Sequence, residues 1–132
     1  MLALITVLGG VVLFLVVNVR LRSKNAKIAA SRSGDSREDF IYYFSKEGAP
    51  KEILVEVYRS LQALQSAKNF PVRPDDDLYQ VYGIWNEDLD DLIIELAQTC
   101  GCKTPTTEDV AELAPIRSVK DLVRLLHRFY EL

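Results

Sequence analysis

The chain of 132 residues has few of the side chains on which catalysis and metal binding most often rest: one His, one Met, one Trp and two Cys. Two thiols, Cys100 and Cys102 in C-G-C spacing, cannot build the disulfide framework of a small secreted domain. With His127 as the only imidazole, no tetrahedral ligand set is complete, so no metal is expected and the thiols read as packed helix-end residues in a reducing compartment. No Ser-His-Asp order, Cys-His pairing, Gly-rich phosphate loop or metal-ligand spacing is present, which argues against an enzyme. Strand-like alternation and internal repeats are absent too. Serine is missing between Ser66 and Ser118. Basic residues thin out after Lys27: positions 28–132 hold 12 Lys and Arg against 19 Asp and Glu, a formal charge of −7. A nucleic-acid partner is therefore not expected.

Charge is missing altogether from residues 1–19, MLALITVLGGVVLFLVVNV, where Asn18 is the one strongly polar residue. As a helix this block is about 28 Å long, close to the roughly 30 Å hydrocarbon core of a bilayer. Arg20, Arg22, Lys24 and Lys27 follow it, where long basic side chains reach headgroups. A cleaved signal peptide carries its basic residues before the apolar block and a small-residue site after it; neither is present. The expectation is a single-pass anchor over 1–19, with 2–19 in contact with the membrane. The positive side stays inside, which implies an inner (cytoplasmic) membrane location with a cytoplasmic C-terminal domain. Residues 20–35 read as a polar juxtamembrane linker and 36–132 as the domain.

Within 36–132 the periodicity is helical. Ser36 with Asp39 opens a short helix that brings Phe40, Ile41, Tyr43 and Phe44 to one side. Pro50 suits the first turn of a longer helix with Ile53, Leu54, Val57, Tyr58, Leu61 and Leu64 at three- and four-residue spacing. Residues 68–85 read as a long loop whose Phe70, Val72, Leu78 and Tyr82 plug the core, with Asp75, Asp76 and Asp77 solvated rather than cation-binding. Asn86 can cap a helix whose Glu87, Asp88, Asp90 and Asp91 favour the positive N-terminal dipole, with Leu89, Leu92, Ile93, Leu96 and Ala97 buried and Gly101 at its end. Thr106 with Asp109 opens a short helix, and Ser118 with Asp121 the last one, whose apolar face is Val119, Leu122, Val123, Leu126 and Phe129. His127 reads as a helix-end cation.

This order of helices, with DDDLYQVYGIWNEDLDDLIIELAQTCG in the middle and TPTTEDVAELAPIRSVKDLVRLL near the end, resembles an acyl carrier protein over roughly residues 50–130. The resemblance implies an all-α fold: a transmembrane helix followed by an acyl-carrier-like four-helix bundle, with a short additional N-terminal helix allowed for. A working carrier attaches phosphopantetheine to a Ser opening the second helix; here that position is held by Asn86 or Asp88, so phosphopantetheine and every other cofactor are not expected. An uncharacterised bacterial family of acyl-carrier-like proteins has a similar serine-free start. In carriers the acidic second helix docks basic patches, which implies a cytoplasmic partner protein bound by Trp85, Glu87, Asp88, Asp90, Asp91 and Glu95. A solvated acidic face is the competing reading of the carboxylates, and for Trp85 a core position is preferred over a partner anchor. The expected function is a membrane-tethered, non-catalytic interaction module. The alternatives are a membrane-associated carrier modified at another residue, or a small subunit or immunity-type protein with one cognate partner.

Overall fold

Short-range capping chemistry sets most helix boundaries. The computed structural model describes residues 24–65, 67, 69–112 and 115–130, and among these there are seven helices and no strand. They are α1 (residues 24–31), α2 (Arg37–Ser45), α3 (Lys51–Ala63), α4 (Leu78–Tyr82), α5 (Asn86–Thr99), α6 (Thr107–Glu112) and α7 (Val119–Tyr130). Ser36 Oγ accepts from the Asp39 amide at 3.3 Å while Asp39 Oδ2 accepts from the Ser36 amide at 2.9 Å, a complete capping box for α2. Thr106 with Asp109 repeats the arrangement before α6, and Ser118 with Asp121 before α7. Burial pushes the Asp121 carboxyl up, but the amides of Ser118 and Arg117 and the Ser118 hydroxyl outweigh it and hold it below the usual carboxylate range. At α5 the N-cap is Trp85 and not Asn86, which is the first helical residue. No side chain caps this end; Glu87 and Asp88 in the first turn complement the helix dipole instead.

The core is a three-helix arrangement of α3, α5 and α7, with α2 laid on α3. Ile53, Leu54, Val57 and Leu61 meet Leu89, Ile93, Leu96 and Ala97 and the strongly apolar face of α7, where Leu125 is buried beside the expected Val119, Leu122, Val123, Leu126 and Phe129. In α2, Phe40 and Phe44 are buried and Phe40 meets Tyr58 edge-on at 5.3 Å, whereas Tyr43 is exposed. Leu64, expected in the buried stripe of α3, is 54 % exposed just past the helix end.

Three expectations are corrected. Among the described residues no helix is long and apolar enough to cross a membrane: even α5 has only 14 residues, about 21 Å against a roughly 30 Å core. The single-pass membrane element of the expected fold class is therefore not carried forward; the span assigned to 1–19 lies outside the described residues. The single long loop expected over 68–85 is corrected too, because it holds α4, whereas α6, six residues long, is the short helix expected after Thr106. Finally, the part of the linker that is described, 24–35, is helical to residue 31 and ends in a buried arginine, Arg32.

The long segment after α3 does plug the core, with Phe70, Val72, Leu78 and Tyr82 buried, but it also contains α4. Asp77 Oδ1 caps α4 by accepting from the amides of Tyr79 and Gln80 at 2.9 and 2.8 Å. The segment is laced to the start of α7: Leu78 N donates to Arg117 O at 2.8 Å and Val119 N to Asp76 O at 2.9 Å.

Two outcomes follow from this packing. Leu96→Ala should cost about 2–5 kcal/mol, whereas Ile94→Ala, two positions away and 40 % exposed, should stay within about 0.5 kcal/mol of wild type; urea unfolding distinguishes them. The lowered carboxyl of Asp121 contributes stability that is complete above the usual carboxylate range and lost as pH falls through its lower folded value. Asp121→Asn should therefore lower the urea midpoint at neutral pH and flatten its decline on the acid side.

Candidate partner-docking site

The reversal between α4 and α5 creates the most unusual surface of the described residues. Gly83 ends α4 at φ +68°, a left-handed conformation that L side chains rarely adopt. Past this turn Ile84 returns to the core while its neighbour Trp85 is left 63 % exposed. The preference for Trp85 in the core is thus corrected: Ile84 occupies that place, and consecutive residues of the connection face opposite sides. Tyr79 on α4 is 51 % exposed and meets the Trp85 ring edge-on, with centroids 4.7 Å apart. Two large aromatics thus stand out together at the N-terminal end of α5.

Beside them runs a crevice of about 290 Å³ lined by Leu64, Tyr82, Gly83, Ile84 and Leu92 with Asp88, Asp91 and Glu95. The three carboxylates lie at i, i+3 and i+7 and so share one helix face. Asp90 belongs elsewhere: with Ile93, Ile94, Pro105 and Thr106 it lines a narrow cleft facing α6. Glu87 is exposed in the first turn and lines neither. The structure therefore brings together Trp85, Asp88, Asp91 and Glu95 of the sequence-expected set and separates Asp90 from them. None of the five acids of α5 joins an ion pair among the described residues, where the carboxylates so engaged are Asp35, Glu47, Glu56, Asp75 and Asp76. Tyr79 and Leu64 are members of this surface that sequence reasoning missed. Asp77 as cap with Leu78 and Tyr82 inward at i, i+4 was the signal that would have turned Tyr79 outward.

Of the three consecutive aspartates Asp75 is solvated as expected, its side chain 80 % exposed, but Asp76 is not. Asp77 caps α4, Asp75 pairs with Lys120 at 3.0 Å, and Asp76 is buried. Among the described residues no group of three or more His, Cys, Asp and Glu side chains is placed to hold a metal ion. Both cysteines are free and buried. Burial pushes the Cys100 thiol up to about 11, and burial raises Cys102 as well, so neither offers a thiolate nucleophile at neutral pH. At the start of α5, Asn86 and Asp88 are exposed side chains without a hydroxyl. No family model, no curated protein and no solved structure matches this chain. The functional reading rests on its own residues.

Because Trp85 is the single tryptophan, emission reports this surface directly. The intact protein should show red-shifted emission readily quenched by acrylamide, and Trp85→Ala should change stability by no more than about 0.5 kcal/mol; a blue-shifted, protected indole would contradict the exposed placement.

Proposed function

We propose that this protein is a non-catalytic interaction module that docks a partner protein through a basic, partly apolar segment. The observation that carries the reading is the exposed Tyr79–Trp85 pair set beside three carboxylates, none in an ion pair among the described residues, over an apolar floor. Aromatic side chains supply much of the contact energy in protein interfaces, and clustered charge supplies steering and partner selection. The formal charge of −7 over residues 28–132 points to a cationic partner. The resemblance to carriers supports the same surface, since the acidic second helix is where carriers meet their enzymes. A side chain for carrier chemistry is lacking there, which favours docking without attachment.

An amphipathic Lys- and Leu-rich helical peptide is a sufficient probe. It should shift and protect Trp85 emission with an affinity that falls as salt rises. Reversing Asp88 and Asp91 to Lys should abolish that response while leaving the urea midpoint nearly unchanged, and Asp90→Lys should retain most of it because Asp90 lies outside the crevice. Equal loss from both variants would indicate general charge attraction and no defined site.

A further inference from the structure

The most buried polar cluster of the described residues adjoins the docking crevice at Tyr82. Asp76, 5 % exposed, receives Arg32 in a two-pronged contact: Nη1 donates to Oδ2 at 2.8 Å and Nη2 to Oδ1. Arg32 Nη1 also donates to Pro71 O at 2.9 Å, and the guanidinium carbon lies 5.6 Å from the Phe70 ring centroid. Asp76 Oδ2 further accepts from the Tyr82 hydroxyl at 2.7 Å and the Arg73 amide at 2.9 Å. A carboxylate fork, a carbonyl and an aromatic face are the complement of a planar guanidinium, and an ammonium ion cannot satisfy both prongs.

The socket is built entirely by residues 70–82, whereas the arginine that fills it arrives on a different element. Among the described residues the attachment of α1 besides Arg32 is modest: Ile28 and Ala29 are partly buried, Lys24 Nζ reaches Gln80 O at 3.2 Å, and in the connection through residues 33–36, which is otherwise exposed, Asp35 pairs with Arg73. We propose that residues 70–82 form a guanidinium-binding site, that α1 is a latch filling it from within the chain, and that an arginine side chain supplied in trans fills it when α1 withdraws. Tyr82 donates into the socket and also lines the docking crevice, so the two share a wall; that link alone rests on the docking reading.

Chemical rescue in the full chain tests the socket without any partner protein. Arg32→Ala should lower the thermal midpoint, because a buried carboxylate loses its counter-charge. Ethylguanidinium at millimolar concentration, far below denaturing levels, should restore it along a saturating curve, and ethylammonium should not. If Arg32→Ala is unfolded by itself, the same titration is read as recovery of helical circular dichroism. The double variant Arg32→Ala with Asp76→Asn removes the charge that needs a partner; it should fold and be indifferent to ethylguanidinium. Rescue confined to the single variant is the expected result. An unchanged midpoint in Arg32→Ala, no rescue, rescue by ethylammonium to the same extent, or rescue of the double variant would each overturn the proposal.

Discussion

Asp76 carries a carboxylate almost wholly removed from water, and the arrangement around it follows from the need to satisfy both of its oxygens. Four groups from separate stretches do so or lie alongside: the guanidinium of Arg32, the amide of Arg73 and the hydroxyl of Tyr82 reach its side chain, and the amide of Val119 takes its carbonyl. Burial alone would lower the Arg32 guanidinium, but the hydrogen bond and charge of Asp76 raise it; Tyr82 is raised by burial and by Asp76 together, so it stays a donor. Such a network adds little net stability over an apolar replacement, yet losing one member leaves an unpaired charge and costs about 3–5 kcal/mol. Its effect is to allow one arrangement of the long segment between α3 and α5 and to penalise the others.

That single arrangement is what places the docking surface. With Asp76 fixed, Asp77 is positioned to cap α4, Leu78 and Tyr82 face the core, and Tyr79 is left outside. Gly83 then reverses the chain and delivers Trp85 next to Tyr79 at the head of α5. The exposed aromatic pair is thus a consequence of buried electrostatics several residues upstream. The acids divide in the same way: those near the loop are engaged in pairing or capping, while those on α5 join no ion pair among the described residues.

How much of this was legible in the sequence depended on distance along the chain. The boxes Ser36–Asp39, Thr106–Asp109 and Ser118–Asp121 span three residues each, and their side chains meet only if a helix begins there. The apolar stripes of α3, α5 and α7 were equally readable, since period alone fixes which residues share a face. Arg32 and Asp76 are 44 positions apart, and neither carries a local sign of the other, so one looked like linker and the other like a solvated acid. Trp85 was misplaced by one residue, because whether Ile84 or Trp85 turns inward depends on the turn at Gly83 and not on hydrophobicity. The spread of the α5 acids was visible in principle: at 100° per residue Asp90 cannot share a face with Asp88 and Asp91 both, but composition drew all five into one surface.

On the proposed docking reading, the division of that surface also decides how it would work on a partner. Exposed carboxylates within a Debye length of about 8 Å act together on an approaching cation, so Glu87 and Asp90 add to the field felt at a distance even though they line no part of the crevice. On contact with the proposed partner, water would leave the apolar floor and the Tyr79–Trp85 pair, and aromatic burial plus the carboxylates beside it would hold the complex. In such a complex the charge of the whole helix would set association speed, and the few side chains at its head residence time. A face that was merely solvated would need the first property only. The exposed aromatic pair, downstream of that buried network, is the feature that solvation does not require.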